Sequence, residues 1–293
     1  MFPFHRKLIL HPATTTLTFM EIKSLESVSV ADLATAFNTA FAGYFVTINF
    51  SLEGMEERIR RARIDLRQSV GVFVENELVA FMLTGVGEEH GKKMAYNAGT
   101  GVVPDFRRRR LVQQMYEWAE PRWRTAGFTD LSLEVIVENE KAIRAYERVG
   151  FSSARRLAAW QWEGEETVEA NKELLEVLAP DWSVYEKIRP FTPSWDYNRH
   201  GIQAIQEDYR FFEWREEEKL RAYAIINKGG RIAQAGCAEN TITEWKRLLS
   251  ILQRQHSVLS WINIDLRAEV LLGALSENHW KPTIEQFEMF RSL

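Results

Sequence analysis

Between residues 101 and 112 the sequence runs Gly101-Val102-Val103-Pro104-Asp105-Phe106-Arg107-Arg108-Arg109-Arg110-Leu111-Val112. Pro104 ends the β-rich run before it, and the apolar spacing after Arg110 predicts a helix. The first N–H groups of a helix have no intrahelical partner and lie at the positive end of its dipole. Such a start suits an anion such as a pyrophosphate. Arginines in the loop add charge-assisted donors. Taken alone, a basic loop before a helix is more often a solvated surface run. A second stretch, Leu133-Glu134-Val135-Ile136-Val137-Glu138-Asn139 followed by Glu140-Lys141-Ala142-Ile143-Arg144-Ala145-Tyr146 and closed by Gly150-Phe151, adds carboxylates and a phenol.

Together the two stretches resemble the GCN5-related N-acetyltransferase (GNAT) superfamily over roughly residues 16–162. The Val-x-Pro-x-x-Arg-x-x-x-Leu run is similar to that family's acetyl-CoA pyrophosphate loop. Asn139, Ala142, Tyr146 and Gly150-Phe151 resemble its Asn-x-x-Ala-x-x-x-Tyr-x-x-x-Gly-Phe signature. The resemblance implies that the main chain at Val102 and Val103 pairs with the pantetheine arm. It implies that N–H groups of residues 108 to 112, in the run Arg107, Arg108, Arg109, Arg110, Leu111 and Val112, hold the pyrophosphate. Asn139 would lie beside the pantetheine, and the Tyr146 hydroxyl would point at the thioester sulfur. One departure stands out, because the family loop usually has glycine where this chain has Arg108 and Arg110. A non-glycine residue at positive φ costs about 1–2 kcal/mol, so the loop either adopts ordinary φ or is mildly strained. An arginine here either reaches a CoA phosphate or weakens binding by its bulk; retained binding is the expectation.

Acyl transfer to an amine needs a neutral amine, a polarised thioester carbonyl and a protonated leaving thiolate. An alkyl amine titrates near 10, so a base must take its proton at neutral pH, directly or through water. Glu134 resembles the catalytic glutamate of the superfamily's ribosomal-protein N-terminal acetyltransferases, with Glu138 a weaker alternative. Tyr146, whose phenol titrates near 10, is the expected acid. Glu134 as a structural carboxylate and Tyr146 as a core aromatic are the plainer readings. On the acceptor side, Tyr44 and Phe45 lie between the first two helices, where the family shapes its acceptor pocket, though core packing accounts for them equally. Asn97 and Tyr96 are further acceptor-side candidates.

Composition sets the frame. With 293 residues the chain has room for two domains, and 45% hydrophobic with 27% charged residues is a globular mixture. The net charge of -4 argues against a nucleic-acid binder. No apolar run approaches the ~20 residues of a membrane span. The opening 16 residues read as a loose lead-in, not a signal peptide. Cys237 is the only cysteine, which excludes an intrachain disulfide. The six histidines show no metal-ligand spacing, so no metal is expected. A cytoplasmic protein is the economical reading.

The elements that must position these residues alternate between strand and helix. Strands are expected at 17–22, 94–103, 131–137 and 151–162, with a hairpin turning at Glu75-Asn76-Glu77. Helices are expected at 31–41, 52–66, 111–126 and 140–149. Residues 163–206, carrying Pro180, Pro190 and Pro193, read as a connector with an entry helix or two. The order then repeats: a shift of 129 lays 107–151 over 236–280 and places Ala268 at Asn139, Leu275 at Tyr146 and Asn263 at Glu134. Leucine cannot donate a proton, so this copy is expected to lack the chemistry.

The expected fold class is therefore α/β (α+β), two GNAT-like domains, each a mixed, mostly antiparallel sheet flanked by helices. The expected division is a catalytic domain at 1–165, a connector at 166–205 and a degenerate domain at 206–293. The second domain either completes the acceptor site or offers a surface for a homodimer. The leading expectation is an N-acetyltransferase using acetyl-CoA on a small-molecule or peptide amine. The alternative is a non-catalytic CoA-binding or interaction protein that keeps the fold.

Overall fold

The computed structural model describes residues 5–11, 17–46, 48–89, 91–164 and 173–293. Two compact units form. The first takes in Met1–Val135, Asn139–Ser152 and Met289–Leu293; the second takes in Ile136–Glu138 and Ser153–Glu288.

The first unit carries β1 (His5–Leu10), β2 (Leu17–Ser24), α1 (Val30–Phe41), α2 (Leu52–Arg61), β3 (Val70–Val74), β4 (Glu77–Glu89), β5 (Lys92–Val102), α3 (Leu111–Thr125), β6 (Asp130–Ile136) and α4 (Glu140–Arg148). Serines start the first two helices: the Ser29 side chain accepts from Asp32 N–H and that of Ser51 from Gly54 N–H. The hairpin turns where expected, with Glu75 and Asn76 both at positive φ. Strands β1 to β5 pair antiparallel in chain order. Between β5 and β6 the pairing is parallel and short, running only from Met94–Asp130 to Asn97–Leu133. Beyond Asn97 no pairing joins the two strands, and this opening is where the candidate site lies. Gly101 admits the packing beside it: a Cβ there would meet Phe81 Cζ at 2.4 Å and Ala40 Cβ at 2.8 Å.

Strand β1 corrects the reading of the opening residues as a loose lead-in. It pairs with β2 from His5–Ile22 to Leu10–Leu17. Its alternation was unreadable because Leu8 and Leu10 are 48% and 53% exposed, not buried.

The second unit contains β7 (Ser152–Glu163), β8 (Leu174–Val177), α5 (Trp182–Ile188), α6 (Arg199–Ala204), β9 (Tyr209–Glu216), β10 (Lys219–Asn227), β11 (Arg231–Cys237), α7 (Ile242–Gln253), β12 (Val258–Asp265), α8 (Glu269–Glu277) and most of β13 (Lys281–Ser292). Alternate residues of β10 serve two cores. Ala222, Ala224 and Ile226 pack with Trp245, Leu248 and Leu275 of α7 and α8. Tyr223 and Ile225 pack with Trp182, Tyr185 and Ile202 of α5 and α6.

The order from β8 to β13 therefore matches the order from β2 to β7, element for element. Residues 173–205 are not a connector; they supply the first strand and two helices of the second copy. Three prolines and two short helices hid that pattern. The expected divisions at 165 and 205 also do not coincide with the compact units, since β7 pairs with β12 inside the second. The 129-residue shift holds at α8, where Gly150 and His279 both take positive φ, whereas α7 begins two residues later than the shift predicts.

Candidate functional site

The site's residues all belong to the first unit. A 3₁₀ turn, Pro104–Phe106, carries the chain out of β5. Arg108 and Arg110 then take φ of 65° and 55°, the left-handed region, so the loop keeps the backbone that glycine usually supplies. Each position costs about 1–2 kcal/mol. The strain resolves the question left by the sequence: the loop is not in ordinary φ space.

The four arginines are not equivalent. Arg107 donates from Nε to Val102 O (3.1 Å) and from Nη2 to Ala40 O (3.0 Å), tying the loop to β5 and the end of α1. Arg109 donates to Leu10 O (3.1 Å) and stacks over Phe106. Arg108 and Arg110 are exposed and have no hydrogen-bond or ion-pair partner among the described residues. Helix α3 starts at Leu111 with no side-chain cap and no acidic residue in its first turn. Its first ladder bond is Gln114 N–H to Arg110 O (3.1 Å), which leaves the N–H groups of 111–113 without intrahelical acceptors. Leu111 is buried and anchors the helix, while Val112 is half-buried. Val102 and Val103 are half-buried; Val102 faces Ala80 in the ladder and Val103 N–H bonds Val79 O (3.0 Å).

Glu134 is the first residue of β6 beyond the paired stretch. Its Oε2 accepts from the buried Tyr96 hydroxyl. Tyr96 thus holds the candidate base, and its hydroxyl is committed there. Glu138 is exposed.

Tyr146 is 9% exposed, with its ring edge-on to Phe151. Its hydroxyl bonds the side chains of Thr100 and Asn97. Burial pushes the phenol up to about 12, against the opposing effect of those two bonds. Asn97, an acceptor-side expectation, turns inward instead. Its amide donates to Thr100 Oγ1 (2.8 Å) and Tyr116 OH (3.0 Å), and its Oδ1 accepts from Gly99 N–H (3.1 Å). Thr100 and Tyr116 were not legible in the sequence, since only the fold brings them to Tyr146. Asn139 caps α4 by accepting from Ala142 N–H (3.2 Å) and donates to Tyr44 OH (3.2 Å). Burial raises the Tyr44 phenol, opposed by this bond. Phe45 packs edge-on against Tyr44 and is 54% exposed. The structure thus joins Tyr44 and Asn139, and separately joins Asn97, Thr100, Tyr116 and Tyr146.

The acetyltransferase (GNAT) family model matches residues 33–151, the span that holds all of these groups. Residues 33–151 are a GNAT-family domain. No curated protein gives a significant sequence match. Several solved structures share the whole fold. A GCN5-related N-acetyltransferase from Sphaerobacter thermophilus is 12% identical with TM-score 0.65, over 93% of this chain and 95% of that one. A tandem GNAT protein from the clavulanic acid biosynthesis pathway is 12% identical with TM-score 0.61, over 93% and 98%. A third, from Anabaena variabilis, is 15% identical with TM-score 0.57, over 93% and 72%. At these identities the likeness is one of fold: mixed α/β, a mostly antiparallel sheet flanked by helices.

The second copy is an internal control on the GNAT site. The cap of α8 is Ala268 at φ -81°, ψ 59°, close to Asn139 at φ -85°, ψ 59°, so the backbone is kept and the side chain is lost. Leu275, in place of Tyr146, is fully buried. Asn263, in place of Glu134, donates to Ser194 Oγ (2.9 Å) and accepts from Gln286 (2.7 Å). At the start of α7 the anion position is filled from within. Glu244 Oε2 accepts from Glu239 N–H (2.9 Å), and Arg221 bonds both carboxylates. A phosphate approaching this helix start would meet like charge.

Proposed function

We propose that the first unit transfers an acetyl group from acetyl-CoA to a primary amine of a small molecule or peptide, with Glu134 as base and Tyr146 as acid. One observation carries the reading: the gap between β5 and β6 opens beside Glu134, while an uncapped, strained, cationic loop leads into α3. Open N–H groups and two exposed guanidinium groups fit a pyrophosphate in charge and geometry.

Glu134 takes a proton from the incoming amine, directly or through water, and Tyr96 fixes the carboxylate's orientation. The amine nitrogen bonds the acetyl carbon, the carbon–sulfur bond breaks, and the thiolate must be protonated. With its phenol near 12, Tyr146 stays a donor at every physiological pH. Complete proton transfer from it to a thiolate of ordinary pKa, about 8.5, would be uphill by roughly 5 kcal/mol. Tyr146 therefore acts first as a hydrogen-bond donor to the developing thiolate. The proton that ends on sulfur is balanced by the one released from the amine.

The test is acetyl-CoA-dependent thiol release over a panel of small amines and peptide N-termini, with Tyr146→Phe and Glu134→Gln as controls. Turnover that both variants suppress supports the assignment. Turnover indifferent to both would remove it. The rival, a non-catalytic CoA-binding protein, draws on Arg108 and Arg110 standing where glycine is usual. It predicts CoA binding with no turnover on any amine.

A further inference from the structure

The strand that the sequence did not reveal builds a second feature. On β1, Lys7 faces Met20 and Ile9 faces Thr18 in the ladder, so Lys7 and Ile9 share one face of the hairpin with Met20. With the start of α3, this face encloses an open groove of about 450 Å³. Lys7, His11 and Arg109 supply its charge, and Ile9, Met20 and Leu111 its apolar walls. No carboxylate lines it. Arg109 is fixed there by its bond to Leu10 O, and His11 is edge-on to Phe106 at 5.9 Å. Lys7 is exposed and has no hydrogen-bond or ion-pair partner among the described residues. The volume falls within the usual range for small-molecule sites, about 300–1,000 Å³.

We propose that this groove receives the 3′-phosphoadenosine end of CoA, with Lys7, His11 and Arg109 around the 3′-phosphate and Ile9, Met20 and Leu111 against the base. The inference rests on the acyl-CoA reading above. Arg109 and Leu111 belong both to the loop that would take the pyrophosphate and to the wall of the groove. The part of the ligand beyond the pyrophosphate is the ribose with its 3′-phosphate and adenine, a dianion on a flat, largely apolar body. That matches a cationic groove with aliphatic walls. The hairpin β1–β2 then has a function, closing the groove beside α3. A free nucleotide offers the same phosphate and base, and the experiment separates the two sources.

Titration calorimetry with CoA and with 3′-dephospho-CoA tests it, on wild type and on Lys7→Ala. Lys7 is exposed, so its removal leaves the fold essentially unchanged, which a thermal melt verifies. Wild type should bind CoA about tenfold more tightly than the dephospho form, as charge-assisted bonds to a phosphate allow. In Lys7→Ala the preference should shrink to about threefold or less while the dephospho-CoA affinity stays constant. Equal wild-type affinity for both ligands overturns this inference and leaves the acyl-CoA reading standing. Failure of both to bind removes that reading and this one with it. Adenosine 3′,5′-bisphosphate binding to protein already saturated with CoA would make the groove a separate nucleotide site, and would also overturn it.

Discussion

Replacing Arg108 and Arg110 together by glycine separates two effects of opposite sign. Both residues sit at positive φ, 65° and 55°, and neither side chain has a partner among the described residues. Relief of left-handed strain is worth about 1–2 kcal/mol per position. Glycine's extra freedom in the unfolded chain returns about 0.5–1 kcal/mol per position. The net expectation for the double variant is stabilisation by about 1–2 kcal/mol. That is a rise of roughly 2–6 °C in Tm for a unit of this size. Acetyl-CoA affinity should move the other way, because two guanidinium groups leave the loop while its N–H groups remain. A loss of about 5- to 30-fold is expected from charge-assisted bonds in partly exposed surroundings. Differential scanning calorimetry and ligand titration on the same preparation read both effects. A variant that melts lower than wild type would refute the strain argument. One that binds acetyl-CoA as tightly as wild type would refute the role given to the two side chains.

Tyr146→Phe keeps the ring against Phe151 and removes the hydroxyl; kcat should fall about 100-fold with KM for acetyl-CoA within about threefold, as steady-state kinetics will show. Glu134→Gln should lower kcat by a similar factor at unchanged acetyl-CoA affinity. Tyr96→Phe should lower it by less, about tenfold, because it only frees the carboxylate that Tyr96 holds. Alkaline stability should report the Tyr146 phenol: its folded pKa, about 12, lies above the unfolded value near 10, so the fold favours the neutral form. That contribution is complete below pH 10 and fades as pH rises towards 12, by about 3 kcal/mol in all. Denaturant unfolding at pH 9 and pH 11.5 should therefore show a smaller alkaline loss in Tyr146→Phe than in wild type.

The sequence was most legible where single residues punctuate backbone. Pro104 ends β5's run, Gly127 and Gly150 take positive φ after α3 and α4, and Glu75-Asn76 turn the hairpin. The repeat was legible for the same reason, since its spacing is carried by helix ends. The left-handed loop was foreseeable only as one of two options, because arginine itself disfavours that backbone. Other features depended on tertiary neighbours. Nothing local tells that Arg107 binds Ala40 O, 67 residues away, or that Asn97 turns inward to Tyr116. Strand β1 escaped because its regular apolar residues face solvent. Helices α5 and α6 escaped because seven and six residues are too few to show a 3.6-residue period.

The central claim is that one copy of the fold holds acetyl-CoA and the other does not. Titration calorimetry of acetyl-CoA into the full chain tests it most directly. The open α3 start and the carboxylate-filled α7 start predict saturable binding at one site per chain, weakened in Arg108→Ala/Arg110→Ala and unchanged in Glu244→Gln. Two sites per chain, or no binding, would contradict the account.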